Sequence, residues 1–411
     1  MNDKQLYAQI LGISSPWKVT DVSLALSEGK VEVFVSAGPA ALVCPECGEI
    51  CPGYDRKERR WRHLDTCQYQ TVLVGDIPRV SCSEHGVKQV KVPWAEPGSR
   101  FTLLFEALVI NWLKEASMAA VGEQLSLSWS QVDGIMDRAV KRGLARREVT
   151  LPKRIGADET SFQKRHEYVT VVCDLGKEGG VLHVADGHDA QALKGFYDSF
   201  SECELSSLEA VAMDMGQAYQ KATRACVPDA DEKIAFDRFH VVKLLNDAVD
   251  AVRRQENREL CTSGDRRLVG SRYYWIQSPF AMSDERWASF EALRDSALKT
   301  ARAYAIKGLA ESLWREGSEE EIRADWMDWY AWAIRSRIEP IKRVARTIKE
   351  NLRGIINAIR LRVTNARLEG INALIQKLKK RAHGFRNRAR FRNAIYFHLG
   401  KLDLYPRMVE A

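Results

Sequence analysis

The spacing of hydrophobic residues changes several times along this chain of 411 residues, which predicts more than one domain. Near the N-terminus, apolar and polar residues alternate over Val19 to Leu26 and over Val31 to Val35, with a turn at Glu28 to Lys30 between them. From Phe101 to Arg147, apolar residues recur at helical spacing instead. Because a single core stops growing at roughly 250 to 300 residues, we expect two or three domains.

After Pro152 the pattern alternates between strands and helices. Three strand-like runs precede a helix, a strand, a second helix and a last strand, which is the order of an RNase-H-like α/β core. From His240 to about Asn357 the pattern is helical almost throughout, and we interpret it as an insertion. The strand-like runs are Arg154 to Ala157, Tyr168 to Asp174, Val181 to Ala185, Leu208 to Met213 and Lys233 to Phe236, and the two helical runs are Ala190 to Ser201 and Gly216 to Ala225.

Composition excludes several classes of protein. With 45% hydrophobic and 28% charged residues, the chain can bury substantial cores and is not disordered. Its longest near-apolar stretch, Phe101 to Leu113, is shorter than the roughly 20 residues of a membrane helix. The N-terminus lacks the features of a secretory signal, so we expect a cytoplasmic protein. A net charge of +7 favours a polyanionic partner, and without a GxxxxGK[ST] loop no nucleotide cofactor is expected.

Five of the nine cysteines fall between residues 41 and 95. In a reducing compartment they are better metal ligands than disulfide partners. Cys44 and Cys47 are two residues apart and followed by glycine, and so are Cys82 and His85. Such knuckles suit a tetrahedral structural Zn²⁺ site, provided that a β-hairpin brings the two together. Three further residues stay open as substitute ligands, namely Cys51, Cys67 and His63.

The segment Ser128 to Gly143 fits the second helix of a helix-turn-helix, which enters the DNA major groove. An ordinary helical hairpin is the alternative. Apolar residues that can pack inward are Trp129, Val132, Ile135, Met136 and Ala139. Polar residues left for DNA are Ser130, Gln131, Asp133, Arg138, Lys141 and Arg142.

Acidic residues at strand ends are candidates for a site that holds two divalent ions about 4 Å apart for phosphoryl transfer. Asp158 and Asp214 end the first and fourth core strands, which are neighbours in an RNase-H-like sheet. Glu159 follows Asp158, but consecutive strand side chains point to opposite faces, so only one of them can enter the site. A third acid should come from a helix. Taken singly, each acid is more simply a solvated surface charge.

That helix is predicted at Asn365 to Arg381. Its buried stripe is Leu368, Ile371, Leu374, Ile375 and Leu378, and its polar face is Asn365, Glu369, Asn372 and Gln376, of which Glu369 is the sole acid. A run of basic residues without an acid follows and would neutralise DNA phosphates. It consists of Lys377, Lys379, Lys380, Arg381, Arg386, Arg388, Arg390 and Arg392.

An aromatic cluster lies in the predicted insertion, and core packing is favoured over a stacking platform for unpaired bases. Its members are Trp326, Trp329, Tyr330 and Trp332. The predicted division of the chain is a β-rich segment at 1–40, a zinc-binding module at 41–95, a helix-turn-helix domain at 100–148, the first part of the core at 152–245, the insertion at 246–357, and the C-terminal helix of the core with its basic tail at 358–411.

Short motifs that recur in one known family are spread along the whole chain. They are Cys44-Pro-Glu-Cys47-Gly, Ala157-Asp158-Glu159 with Tyr168-Val-Thr-Val-Val, Met213-Asp214-Met215 with Tyr219, Asp237-Arg-Phe-His240-Val-Val-Lys, Val252-Arg-Arg254, Thr364-Asn365-Ala-Arg-Leu-Glu369-Gly-Ile-Asn372, and Lys380-Arg-Ala-His-Gly-Phe385-Arg-Asn387.

Together these motifs resemble the bacterial insertion-sequence transposases of the ISL-three type. The resemblance implies a DDE triad on an RNase-H-like core interrupted by a helical insertion, and the matching positions are Asp158, Asp214 and Glu369. We expect these acids to bind two Mg²⁺ or Mn²⁺ ions. Residues expected to support the site are Asp237, His240 and Asn365. Asp237 is also the alternative candidate for the second acid. His85 departs from relatives that carry a fourth cysteine there.

The resemblance and the residues together predict a DNA transposase. Its N-terminal modules would bind the terminal inverted repeats of its element, and its core would cut them and join them to target DNA. Two ends must be joined, so a homodimer or a larger synaptic complex is expected. The alternatives are a DNA-binding regulator that does not cut and a stand-alone nuclease without end recognition.

Overall fold

The computed structural model describes residues 2–38, 42–148, 150–163, 167–177, 179–277, 282–296, 298–364 and 366–407. They form two compact units, one of residues 1–148 with 396–411 and one of residues 149–395. This corrects the predicted division, which gave all of 358–411 to the catalytic core. The reason is apolar burial, because Phe397 and Leu404 are buried in the helical core of the first unit.

The first unit begins with a five-stranded sheet in the order β1-β2-β4-β3, with β5 paired to β4. The predicted hairpin is present, and its Gly29 has a left-handed backbone with φ of 64°. One apolar core contains residues of β1, β2, β3 and β4, so both the predicted segment 1–40 and the predicted zinc-binding module 41–95 contribute to it. The strands are β1 (Trp17–Ala25), β2 (Lys30–Ala37), β3 (Gly53–Arg62), β4 (Gln70–Cys82) and β5 (Gly86–Gln89).

Sequence analysis missed one helix in this unit, α1 (Asp3–Ile10), although Asn2 and Gln5 form a capping box at its start. The predicted helix-turn-helix is confirmed. Ser117 and Ser128 cap its two helices through side-chain bonds to backbone amides. Residues 125–128 form the turn, where a Cβ on Gly122 would lie 2.8 Å from the Leu127 carbonyl oxygen. The helices of this part are α2 (Leu103–Glu115), α3 (Met118–Gln124) and α4 (Trp129–Arg146).

Two arginines of α4 are used inside the unit. The carboxylate of Glu106 on α2 is completely buried and accepts hydrogen bonds from Arg138 Nε at 2.9 Å and from Arg142 at 3.0 Å. Arg142 also pairs with Glu96, and only 7% of its side chain is exposed. The prediction that Arg142 lies on the DNA-facing surface is therefore wrong, and Arg138 is largely committed to the same buried carboxylate.

The second unit contains a five-stranded sheet in the order β10-β9-β6-β7-β8. The strands β6, β7 and β8 pair antiparallel, whereas β9 and β10 continue from β6 in parallel. All five predicted strands are present. They are β6 (Arg154–Gln163), β7 (Glu167–Asp174), β8 (Val181–Asp186), β9 (Ala210–Met213) and β10 (Ile234–Phe236).

Helices pack against this sheet, and most of the described residues that follow β10 are helical. Trp326 and Trp329 are each 1% exposed, so core packing is confirmed for these two, whereas Trp332 is 44% exposed. Among the described residues, no helix is long and apolar enough to span a membrane. The helices are α5 (Ala190–Tyr197), α6 (Glu202–Ser206), α7 (Gln217–Cys226), α8 (Ala230–Lys233), α9 (Arg238–Thr262), α10 (Arg272–Ile276), α11 (Asp284–Arg294), α12 (Lys299–Ser312), α13 (Glu319–Arg335), α14 (Glu339–Glu350), α15 (Leu352–Arg360), α16 (Ala366–Arg381) and α17 (Arg388–Leu399).

Two predicted domain boundaries fall inside helices. The boundary after residue 245 lies within α9, and the one after residue 357 lies within α15. Helix α15 packs against the edge strand β10, where Asn357 Nδ2 donates to the Ile234 carbonyl oxygen at 2.8 Å. Helix α15, which contains the predicted end of the insertion, therefore packs on the sheet.

The buried ion pairs of Glu106 predict a strong effect of its charge on the first unit. Replacing Glu106 with glutamine removes the carboxylate that pairs with Arg138 and one of the two that pair with the buried Arg142, which should destabilise the unit by about 3 kcal/mol. Urea unfolding followed by circular dichroism measures this loss. Glu123→Gln, at an exposed position on α3, is the matched control and should change stability by less than about 0.5 kcal/mol. Equal stability of the two variants would contradict the prediction.

Candidate functional site

Three aspartates lie at one edge of the second sheet because of the register of its parallel strands. Gly156 pairs with Ala212, so Asp158 and Asp214 both lie two residues beyond the same pair. Met213 pairs with Phe236, and Asp214 and Asp237 are the residues that follow. The carboxyl ends of parallel strands meet at the same edge of a sheet. The register therefore brings together the two predicted acids, Asp158 and Asp214, and the alternative candidate Asp237.

Helix α16 packs along β6 through side-chain amides. Asn372 Nδ2 donates to Asp158 Oδ2 at 2.7 Å, and Gln376 Nε2 donates to Thr160 Oγ1 at 2.9 Å. One turn later, Lys379 Nζ donates to the Ser161 carbonyl oxygen at 2.8 Å. Helical steps of three and four residues thus follow the two-residue period of one strand face.

Most of the predicted buried stripe of α16 is confirmed. Leu368, Ile371 and Ile375 are buried, but Leu374 is 47% exposed, contrary to the prediction. Helix α16 contacts β6 partly through the polar side chains Asn372 and Gln376. Its buried surface therefore contains fewer apolar residues than the helical periodicity predicted. Sequence analysis gave Asn372 no role, although its position three residues after Glu369 could have indicated one.

Glu369 enters the same site from the first turn of α16. Burial raises the pKa of its carboxyl, and contact with Asp237 raises this pKa further, whereas His240 lowers it. Asp237 is 8% exposed and caps α9, since its Oδ1 accepts a hydrogen bond from the Phe239 amide at 3.1 Å. Its Oδ2 is buried without a hydrogen-bond partner among the described residues.

The pKa of Asp158 depends on its burial and on charged neighbours within the cluster. Burial raises the pKa of Asp158 to about 6, the Glu159 amide and His240 lower it, and Asp214 raises it. His240 therefore interacts with both Asp158 and Glu369. Glu159 is exposed, as expected for the neighbour on the other face. Asn365, the third predicted supporting residue, lies outside the described residues.

The cluster has the chemistry of a site for hard divalent cations. Such ions take oxygen ligands, and carboxylates with amide carbonyls are the usual donors in proteins. Carboxylates converge from the middle of β6, from the ends of β9 and β10, and from α16, so the prediction that Asp158 ends its strand is wrong. Two buried oxygens, Asp237 Oδ2 and Asn372 Oδ1, have no partner among the described residues. The donor set therefore fits Mg²⁺ or Mn²⁺.

A second cluster of ligands lies in the first unit. One ligand atom each from Cys44, Cys47, Cys82 and His85 lies within 4.8 Å of the others. Cys82 Sγ is 3.6 Å from His85 Nδ1 and 3.8 Å from Cys47 Sγ. The hairpin of β3 and β4 connects the two knuckles, as expected. Amides of His85 and Glu84 lower the pKa of Cys82 to about 7, which favours the thiolate that metals bind.

The three possible substitutes for these ligands are used elsewhere. His63 is buried with its Nδ1 2.9 Å from Thr102 Oγ1, and burial lowers its pKa to about 4. Cys51 Sγ donates to the Glu49 carbonyl oxygen at 3.5 Å, and Cys67 is exposed and outside the cluster. The glycines that follow the two knuckles, Gly48 and Gly86, have φ values of 78° and 69°. A left-handed backbone at these turns favours glycine.

The predicted DNA face of α4 is reduced in the structure. Ser130 is exposed, and Lys141 is 73% exposed beside Asp137. Gln131 uses its side chain in the capping box, where Oε1 accepts from the Ser128 amide at 2.8 Å. Trp129 was expected to pack inward but is 44% exposed, because it occupies the first position of the helix.

The predicted basic tail is spread over α16, the following loop and α17. Lys377, Lys380, Arg386, Arg388 and Arg390 are exposed, and Arg381 and Arg392 are partly buried. Ion pairs join Arg388 to Glu167 at 3.3 Å and Arg392 to Asp186 at 3.2 Å. Lys379, which bonds to the β6 backbone, holds the helix against the sheet. The tail is thus partly structural.

Three family models match the regions that contain the zinc-ligand cluster, the helix-turn-helix and the acidic cluster. Residues 155–395 match a family model described as a transposase of the ISL3 type. Residues 90–140 match the helix-turn-helix domain of transposase family ISL3. Residues 41–85 match the zinc finger of the transposases of IS204, IS1001, IS1096 and IS1165.

Curated relatives are similar over nearly the whole chain. A transposase for insertion sequence element IS1557 of Mycobacterium tuberculosis is 28% identical over 94% of this chain and 93% of its own length. A transposase for insertion sequence element IS1001 of Bordetella parapertussis is 24% identical over 88% and 89%. The chain belongs to the ISL3 family of transposases and is a DNA-cutting and DNA-joining enzyme with its own DNA-binding domains.

Proposed function

We propose that the second unit is an RNase-H-like core with a helical insertion, and that its catalytic acids are Asp158, Asp214 and Glu369. Support comes from the sheet, in which three antiparallel strands continue into two parallel ones. It also comes from the register, because Asp158 and Asp214 follow the same strand pair. The single observation that carries the proposal is the convergence of these acids with α16 at one sheet edge.

The proposed cofactors are two Mg²⁺ or Mn²⁺ ions, held by Asp158, Asp214 and Glu369. When bound, such ions activate the attacking oxygen and stabilise the leaving oxygen of phosphoryl transfer. The chain itself supplies orientation. Asn372 and the Glu159 amide each donate to one oxygen of Asp158, which fixes the plane of its carboxylate. His240 is the group that offsets the negative charge between Asp158 and Glu369.

The proposed substrates are the terminal inverted repeats of the element and a target duplex. Helix α4 would read the repeats through its exposed N-terminal residues, with Ser130 and Trp129 foremost, while Lys141 contacts phosphate. Exposed tail cations such as Lys377, Lys380 and Arg386 would neutralise DNA phosphates. Joining two ends implies a homodimer or larger synaptic complex, which works in the bacterial cytoplasm on the nucleoid.

We also assign a structural Zn²⁺ to Cys44, Cys47, Cys82 and His85. With these four protein ligands, a tetrahedral ion would have no position left for water or substrate. The ion would hold the turn of Cys44 and Cys47 to the turn of Cys82 and His85, beside the apolar core that includes Cys44 and Cys82. Folding of this end, and with it DNA binding, would then depend on zinc.

Cleavage of DNA ends tests the function directly. Labelled duplexes from the DNA that flanks the coding sequence are incubated with the full chain and Mg²⁺ or Mn²⁺. Wild-type protein should nick at the ends, and Glu369→Gln should bind equally but cut at least about a hundredfold more slowly, because it lacks a metal ligand. Glu350→Gln, at an exposed position on α14, is the control and should cut normally. Binding without cutting by wild type would instead favour a DNA-binding regulator.

The bond from Asn372 to Asp158 predicts a second effect on cleavage. Asn372→Ala should slow cutting by about 10- to 100-fold, since partners that orient metal ligands contribute on that scale. Gln376→Ala removes a matching bond between helix and strand that involves no acid, and it should retain most of the activity. Gel-shift assays should show unchanged DNA binding for both. Equal losses of cutting would mean that Asn372 only holds the helix in place.

Removal of one zinc ligand should release the ion. Wild-type protein should contain about one zinc per chain by mass spectrometry of metals, and Cys47→Ser should contain little and lose specific DNA binding. Cys67→Ser alters an exposed cysteine of the same module that lies outside the cluster, and it should keep both properties. Full zinc content in Cys47→Ser would refute this assignment of ligands.

A further inference from the structure

Asp237 does more than the capping of a helix requires. One oxygen suffices for a cap, and Oδ1 fills that role by accepting from the Phe239 amide at 3.1 Å. The residue follows β10 in register with Asp214, so it belongs to the same edge as the catalytic acids. Its Oδ2 is not needed by α9.

This second oxygen lies in an environment that calls for a partner. Asp237 is more than nine-tenths buried, at 8% exposure, and Oδ2 has no hydrogen-bond partner among the described residues. A buried carboxylate oxygen without a donor is costly, so native proteins supply a hydrogen bond, a proton or a cation. The nearby side chain that interacts with Asp237 is another acid, Glu369.

The pair of acids is therefore the least balanced part of the cluster. Asp158 already has a donor for each oxygen, from the Glu159 amide and from Asn372. His240 lowers the pKa of Glu369 and also that of Asp158, so its favourable effect is divided between these two acids. Two interacting carboxylates, one of which has a buried oxygen without a donor among the described residues, are an arrangement that a divalent cation stabilises.

We propose that Asp237 is a fourth carboxylate ligand and shares a divalent cation with Glu369. The inference rests on the proposed function, because it assumes that the cluster binds such ions. It gives Asp237 its own role beside Asp214, rather than that of a substitute for it. The ion held by this pair would be distinct from one bound mainly through Asp158 and Asp214.

Substitutions can separate the two roles of Asp237. Asparagine keeps an oxygen for the cap but loses the charge, and serine keeps the cap but removes the ligand from its place. Asp189 caps α5 in the same unit by accepting from the Ala192 amide at 2.9 Å. Asp189→Asn therefore controls for the loss of a capping aspartate away from the acids.

Binding of Mn²⁺ to the zinc-loaded full chain, followed by the electron paramagnetic resonance of free Mn²⁺, tests the proposal. Asp237→Asn and Asp237→Ser should each weaken one Mn²⁺ site by at least about tenfold, whereas Asp189→Asn should bind like wild type. Glu369→Gln should weaken the same site. If the two acids share an ion, the double variant Asp237→Asn with Glu369→Gln should lose little more than either single variant.

Two results would overturn the proposal. One is wild-type Mn²⁺ binding by Asp237→Asn and Asp237→Ser, which would leave Asp237 as a cap. The other is fully additive losses in the double variant, which would mean that the acids hold different ions. Either result leaves the proposed function intact as long as wild-type protein binds Mn²⁺. Failure of wild type to bind Mn²⁺ would reject both. Circular dichroism confirms that each variant is folded, and the serine variant suffices if asparagine is not tolerated.

Discussion

Crowding of carboxylates at one edge of the parallel part of a mixed sheet is the constraint on which the rest of this structure depends. Asp158 lies within β6, Asp214 and Asp237 follow the neighbouring strands β9 and β10 in register with it, and Glu369 joins them from α16. Partial burial makes the crowding costly, as the pKa of about 6 for Asp158 shows. Such an arrangement is sustained by cations and by donors placed around the acids, and in return it holds several metal ligands in one place.

Helix α16 is what completes the cluster. The bond from Asn372 to Asp158 joins residues 214 positions apart, and the chain between β10 and α16 builds an apolar core around Trp326 and Trp329. Amides at Asn372 and Gln376 fix the helix to β6 without bringing in further charge. Glu369 therefore reaches the strand acids at a defined position along the helix.

The sequence predicted most elements, since period, capping residues and turns are local signals. It also predicted Asp158, Asp214 and Glu369 as candidates, because strand ends and one helix face can be recognised without coordinates. It failed where the partner is distant in sequence. The helical pattern alone places Arg142 on the polar face of an amphipathic helix. In the structure it pairs with Glu106 and Glu96, which are distant in sequence. The same limit hid the attachment of Phe397 to the first unit and the contact of Asp237 with Glu369.

Thermal unfolding of the second unit tests most directly whether these acids form a cation site. It is measured at pH 7.5 for wild type and Asp158→Asn, with and without added Mg²⁺. The folded-state pKa of Asp158 is about 6, above its ordinary value of 3.8. Ionisation at pH 7.5 therefore costs stability that asparagine avoids. Without Mg²⁺ the variant should unfold at the higher temperature, and with Mg²⁺ wild type should gain more and overtake it. A variant that is less stable without metal, or an equal gain for both, would contradict the claim that these acids form a cation site.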